Sequence, residues 1–329
     1  MVLVDAMYIN SGGGKVLLDV LIEELENKQI DVFYLLDSRL EDQPGYESLK
    51  NVAFEKASLY KRHLFYRHNK KKFSRVLCFA NLPPTLRMDC EVYTFFQNVL
   101  LFETGRNSFL NRLKGYIIKY FNKNSDFWIV QTEVVKDIVV SKLGSHIDVL
   151  VLPFFSESRV FLKSKDTNLE SLNFLYVSSG EIHKNHKKLF AAFGRFNVLF
   201  PNATLTVTIE DKYDKLIRLI DFYKRKNVKI VNFGFKDSID QIYGEADICI
   251  YPSLAESFGL GLIEAAQAKL PIICSNLPYA LEAVFPASTF NPNCENSIFS
   301  CLCDFKSYHN KPSEIKTNNS INKIIKLLK

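Results

Sequence analysis

The feature that most constrains this chain is an alternation. Short apolar runs of strand length recur along it, separated by longer runs whose apolar residues fall at helical spacing. MVLVDAMYI reads as a strand, SGGG as a tight loop, and KVLLDVLIEELENK as a helix with Val16, Leu17, Val20, Leu21 and Leu25 on one stripe. IDVFYLLDS, RVLCFAN, VYTFFQNVLL and DFWIVQT are further strand candidates. Near-continuous apolar strands suit a parallel sheet buried on both faces, with helical crossovers covering it. A polar stretch, FLKSKDTNLES at 161–171, interrupts the pattern, which then restarts. LNFLYVSSG, ATLTVTI, VKIVNFG, ADICIYPS and LPIICSN read as strands, and DKLIRLIDFYKRKN and HKKLFAAFGRFNVLF as helices, the latter ended by Pro201. The expected organisation is α/β with two domains, 1–160 and 161–310, joined near 155–172. Residues 311–329 follow as a polar stretch and a short basic helix, INKIIKLLK, a candidate to pack back on the N-terminal domain. A length of 329 residues fits two cores, since single cores stop growing near ~250–300 residues.

Composition narrows the class. The chain is 47% apolar and 24% charged, ordinary for a soluble globular protein. It has no apolar run of the ~18 residues or more that a spanning helix needs. MVLVDAMYIN carries Asp5 and no basic leader, so it reads as a first strand and not as a signal peptide. Seven cysteines are scattered without a CxxC pair, which favours reduced thiols in the cytoplasm over a disulfide framework or a zinc site. The formal net charge of +6 favours anionic partners without naming them. Within KRHLFYRHNKKKFSR (61–75), seven Lys/Arg and no acid are interleaved with Leu64, Phe65, Tyr66 and Phe73. A solvated basic face, a segment lying on an anionic membrane, and nucleic acid compete as readings. The last ranks lowest, because no nucleic-acid-binding motif accompanies the charge.

Two stretches bear on chemistry. SGGGK (11–15) places glycines between a strand and a helix, where a phosphate can approach backbone N–H groups. The GxxxxGK[ST] loop fails at Ile9 and Val16, and the dinucleotide GxGxxG fails at Leu17, so neither an ATPase nor a dehydrogenase is supported. A merely tight turn competes with glycines making room for a ligand. ESFGLGLIE (256–264) is more specific. LIEAAQAK is a strong helix former, so a helix begins near 258–261. Glu256 then lies in a loop at the carboxyl end of a strand, where open α/β sheets bind ligands, and Glu264 lies one to two turns inside the helix. Gly259 leaves the N–H groups of Phe258, Gly259 and Leu260 reachable. Capping alone explains one acid near a helix start, but not the pair with both glycines.

ESFGLGLIE resembles the E-x7-E motif of retaining glycosyltransferases with the GT-B fold, closest to family 4. The likeness runs through 231–284, and it continues in LYVSSGEIHKNHKKLFAAF (175–193), similar to that family's donor-phosphate loop. It also covers VDAMYINSGGGKVLL at the N-terminus and VQTEVVKD (130–137). It implies two Rossmann-like, doubly wound domains facing across a cleft that holds a nucleotide diphosphate-sugar. By this resemblance Glu264 binds the ribose, and Glu256 contacts the donor sugar together with the N–H groups of Phe258, Gly259 and Leu260. Lys184 neutralises the diphosphate, in a loop that includes Ser179 and Gly180, and Gly13 and Gly14 let the N-terminal loop approach it. No metal is implied, and the sequence has no acidic DxD cluster to hold one. The implied role is transfer of a hexose from a UDP- or GDP-sugar to a saccharide, lipid-linked, in bacterial O-antigen or capsule assembly. The implied location is cytoplasmic, peripheral on the inner membrane face through 61–75.

The sequence departs from the family at two places. Many members carry arginine five positions before the lysine, where this chain has Ser179; His183 and His186 bracket the lysine, each either an assisting group or a surface histidine at a helix start. A donor-contacting histidine of the N-terminal domain is absent from TFFQNVLL, leaving Gln97 or Asn98 as substitutes. These gaps keep open a non-catalytic relative that binds nucleotide-sugar or a partner enzyme. A nucleotide-sugar epimerase or a phosphorylase on the same fold also stays open.

Overall fold

In the computed structural model, residues 1–102, 109–157, 169–234 and 240–329 are described. They form two compact units, Met1–Ser156 with Asn318–Lys329, and Glu157–Thr317. Most of the polar stretch 161–171, and 235–239 within the region of family likeness, lie outside the described residues.

The first unit is a seven-stranded parallel sheet. Its strands are β1 (Val2–Ala6), β2 (Val32–Asp37), β3 (Val52–Glu55), β4 (Arg75–Cys78), β5 (Glu91–Phe95), β6 (Phe127–Val130) and β7 (Asp148–Val151), in the order β3-β2-β1-β4-β5-β6-β7. The helices that connect them are α1 (Gly12–Asn27), α2 (Leu59–His68), α3 (Phe109–Phe121) and α4 (Glu133–Leu143). All five residues of β1 are buried, as a central strand covered on both faces requires. Leu3, Met7, Leu35, Phe73 and Val76 pack in one cluster, and Phe96, Trp128, Val130, Val135 and Val139 in another. SGGG is not a loop ahead of the helix, as its glycine content suggested. Gly12–Gly14 form the first turn of α1 after Ser11, with Gly12 at φ +64°.

Asp5 is the one charged residue inside β1, and its partner comes from the basic stretch. Arg62 of α2 is 1% exposed, and its Nε donates to Asp5 Oδ2 at 2.6 Å. Its two terminal nitrogens donate to Pro83 O at 2.8 Å and Leu82 O at 2.7 Å, and the Tyr66 hydroxyl also donates to Asp5. Tyr66 and Phe73 are buried in the core, and Phe65 stacks on Phe73. The stretch 61–75 is therefore not one amphipathic surface segment. A crossover helix must turn one side to the sheet, and it turns Tyr66 and one arginine inward while Tyr60 stays exposed. Lys61, Arg67, Lys70, Lys71 and Lys72 stay exposed.

The second unit repeats the plan with six parallel strands: β8 (Asn173–Tyr176), β9 (Thr204–Val207), β10 (Ile230–Asn232), β11 (Ile248–Tyr251), β12 (Ile272–Ser275) and, after the two-residue β13 (Val284–Phe285), β14 (Ser288–Phe290). Their order is β10-β9-β8-β11-β12-β14, so the chain reverses direction across the sheet between β8 and β11. The helices are α5 (His186–Leu199), α6 (Asp214–Arg225), α7 (Asp240–Gly244), α8 (Leu260–Gln267), α9 (Pro278–Ala283), α10 (Glu295–Cys303) and α11 (Phe305–Tyr308). The region after 303 contains α11, anchored by buried Phe305 and Tyr308. It also holds β15 (Glu314–Ile315), antiparallel to β13.

The last helix, α12 (Ile321–Leu328), belongs to the first unit and buries Ile321, Ile324, Ile325 and Leu328. Ser320 N donates to Pro153 O at 2.6 Å, and Asn319 Nδ2 to Phe155 O at 2.8 Å. The divisions fall at 156/157 and 317/318, against 160/161 and 310/311 read from sequence.

Candidate active site

The carboxyl ends of β8 and β11 carry two loops that are stitched together. After β8 the chain makes a turn at 177–181, a single 3-10 turn at Ile182–Lys184, and a left-handed residue, Asn185, at φ +62°. Asn185 is buried and its amide donates to Pro252 O at 3.1 Å and Pro292 O at 2.8 Å. The Tyr176 hydroxyl lies 3.0 Å from Lys184 O and 2.8 Å from Ser253 Oγ, and Leu254 N donates to His183 O at 2.8 Å. Tyr279 adds a hydrogen bond to Ser253 O at 2.8 Å. Loop 252–259 is thus fixed on the turn that carries Lys184.

The result is an ion pair between two of the residues singled out from sequence. Lys184 Nζ lies 2.6 Å from Glu256 Oε1, with side chains 14% and 12% exposed. The Tyr251 hydroxyl donates to the same carboxylate oxygen at 3.2 Å. Burial holds the Tyr251 phenol well above its ordinary pKa, so it stays a donor throughout the physiological range.

Glu256 is followed by buried Phe258, then Gly259 at φ +83° as the N-cap of α8, with no side-chain cap. Each glycine of the pair has its own reason. Gly259 takes a left-handed conformation that costs an L side chain ~1–2 kcal/mol. Gly261 has ordinary φ, but a Cβ there would lie 2.9 Å from the Tyr251 ring and 3.4 Å from Val177 O. Leu262 N donates to Gly259 O at 2.9 Å, and the N–H groups before it lie at the positive end of the helix. Glu264, one turn on, is 8% exposed, and Tyr243 of α7 donates to its Oε2 at 3.0 Å. Tyr243 is a site residue that sequence reasoning missed; its position in DQIYGEAD gives no sign that its hydroxyl reaches the second carboxylate of ESFGLGLIE.

His186 is buried, not a surface histidine. Its Nε2 lies 2.9 Å from Ser179 O and 3.1 Å from Ser178 Oγ. The Ser179 carbonyl can only accept, so this nitrogen carries a proton. Burial pushes the imidazole pKa down to about 4, against the raising effect of the Ser179 hydrogen bond, with Lys184 and His183 lowering it further. A neutral imidazole cannot stand in for the guanidinium replaced by Ser179, so His186 holds the loop in place. Gly180 packs against the Tyr213 ring, where a Cβ would lie 2.4 Å from a ring carbon. His183 sits on the turn 3.6 Å from Glu181.

Gly13, Gly14, Gln97 and Asn98 belong to the first unit. Gln97 lies beside Gly14, whose Cβ would be 3.4 Å from the Gln97 amide nitrogen, and that nitrogen donates to Phe79 O at 3.0 Å. Asn98 accepts from Leu100 N at 3.2 Å and caps a 3-10 turn. Among the described residues, no group of three or more His, Cys, Asp or Glu could hold a metal ion.

Residues 154–291, which carry this geometry, match the family of glycosyl transferases group 1. The chain is 27% identical over 205 residues to the alpha-monoglucosyldiacylglycerol synthase of Acholeplasma laidlawii, covering 57% of this chain and 51% of that protein. It thus spans about half the length of that relative. Sucrose-phosphate synthase from Thermosynechococcus elongatus superposes with a TM-score of 0.77 at 14% identity, covering 99% of this chain and 94% of the other. Anabaena HepE in complex with UDP-glucose superposes with a TM-score of 0.70 at 13% identity, covering 99% and 97%. The two Rossmann-like units and these superpositions show the GT-B fold, and the second unit carries a region, 154–291, similar to the group 1 glycosyl transferases.

Proposed function

We propose that this chain is a retaining glycosyltransferase that moves a hexose from a UDP- or GDP-sugar to a saccharide hydroxyl. The observation that carries the reading is the Lys184–Glu256 ion pair beside the uncapped start of α8, with Glu264 one turn further on. Cleaving a sugar–phosphate bond builds negative charge on the diphosphate, and fixed donors stabilise it there. Lys184 and the helix-start N–H groups of Phe258, Gly259 and Leu260 supply those donors, with Ser179 and Gly180 in the same loop as Lys184. Glu256 takes the sugar hydroxyls and Glu264 the ribose. The chemistry proceeds without a metal ion. HepE, whose structure holds UDP-glucose, supports a nucleotide-sugar as the donor.

The acceptor in this reading is a lipid-linked saccharide of bacterial O-antigen or capsule assembly, met at the cytoplasmic membrane face. The relative that makes a glucosyldiacylglycerol supports a lipid-borne acceptor. The exposed lysines and arginine of 61–72 supply attraction to anionic headgroups, beside the exposed Tyr60 of α2. The test is a thermal-shift panel of UDP, GDP, dTDP, CMP and their common sugars, with Glu264→Ala as control. A nucleotide that raises the melting temperature of the wild type and not of the variant supports the reading and names the base. No shift with any of them favours a non-catalytic relative.

A further inference from the structure

We infer that Tyr243 is a positioning residue for nucleotide recognition: its hydroxyl orients the Glu264 carboxylate toward the ribose. This rests on the reading of Glu264 given above. Glu264 is 8% exposed and reaches its place through three rotatable side-chain bonds, so something must fix the plane of its carboxylate. Tyr243 comes from α7, on the other side of β11 in the chain, and is 1% exposed. Its hydroxyl lies 3.0 Å from Glu264 Oε2 and 3.3 Å from Gly261 O. A phenol has one proton, and the nearer, charged oxygen is the better acceptor, so the bond to Glu264 is the stronger. A buried tyrosine rather than phenylalanine needs a partner for its hydroxyl, and here that partner is the carboxylate assigned to the ribose.

The test separates orientation from packing. Affinities of UDP and 2′,3′-dideoxy-UDP, with the guanine pair in parallel, are measured by calorimetry for the wild type, Tyr243→Phe and Glu264→Gln. Tyr243→Met serves as a second variant without the hydroxyl should the first fail to fold. The expected result for Tyr243→Phe is a loss of about tenfold for the ribonucleotide, the scale of one hydrogen bond to a charged group, with the dideoxy affinity unchanged. Its ribo-to-dideoxy ratio then falls toward that of Glu264→Gln. Equal losses for both nucleotides, or a wild-type ratio in Tyr243→Phe while Glu264→Gln abolishes discrimination, overturn the assignment of Tyr243. A wild-type ratio in Glu264→Gln instead sinks the ribose reading of Glu264 on which it rests.

Discussion

At the scale of single residues, the site is organised by who is paired with whom. Lys184 and Glu256, assigned from sequence to the diphosphate and the sugar, hold each other at 2.6 Å. A donor must therefore exchange partners with this pair as it binds. Glu256→Gln removes the competing charge and leaves Lys184 for phosphate. The expected outcome is nucleoside-diphosphate affinity raised about fivefold, the order of ~1 kcal/mol for a partly exposed ion pair, with turnover greatly reduced. Titration calorimetry beside a turnover assay checks both, and weaker nucleotide binding in the variant would contradict the exchange. His186 makes a different prediction. Its folded pKa of about 4 lies below the ordinary 6.5, so between those values the unfolded chain binds a proton that the folded one does not. Stability from this residue is complete above pH ~6.5 and is lost as pH falls toward ~4, by up to roughly 3 kcal/mol. Replacing it by asparagine should flatten the fall in melting temperature between pH 6.5 and 4.5. A variant with the wild-type slope would show that the imidazole is not held neutral.

At the scale of elements, legibility followed burial. Strands β2, β8, β11 and β12 stand out in the sequence because a strand covered on both faces reads as a near-continuous apolar run. The edge strands β3, β7 and β14 did not, being short and only partly buried or partly polar. The basic stretch misled for a similar reason. Charge is visible in a sequence, but which of seven cations turns inward is set by a distant partner, here Asp5, 57 positions from Arg62. Within the site, the glycine pair was legible as a helix start, while the reason for Gly261 was not, because the Tyr251 ring of β11 and the Val177 carbonyl after β8 close on it from elsewhere in the chain. Arg62 carries the prediction of this scale. Arg62→Ala leaves the Asp5 carboxylate buried without its cation and should cost about 3–5 kcal/mol in urea unfolding of the first unit. The double variant Arg62→Met with Asp5→Leu should recover much of that loss. A single variant within ~0.5 kcal/mol of wild type would mean that the pair contributes little.

At the scale of the molecule, two parallel-sheet units of the same plan are each built around a glycine-bearing strand–helix turn. β1 leads into Gly12–Gly14 and α1, and β8 leads into the Ser179–Gly180 loop and α5. The second unit was the more legible in chemistry, since its carboxylates, lysine and glycines lie within two short stretches. The first unit offers Gln97 and Asn98 where the family likeness asks for a histidine. Gln97 is tied to the Phe79 backbone and Asn98 to a turn, so both serve local structure. α12 illustrates a long-range feature: its apolar positions are plain in INKIIKLLK, but the loop ends at Pro153 and Phe155 that it ties down are not.

In the proposed reading, Lys184 and Glu264 divide leaving-group stabilisation and nucleotide binding between them. Steady-state release of nucleoside diphosphate, measured on Lys184→Ala and Glu264→Ala with the donor found by thermal shift, tests it most directly. A split is expected: KM for the donor raised about tenfold or more in Glu264→Ala with kcat nearly kept, and kcat lowered about a hundredfold in Lys184→Ala. Wild-type kcat and KM in both variants would contradict it.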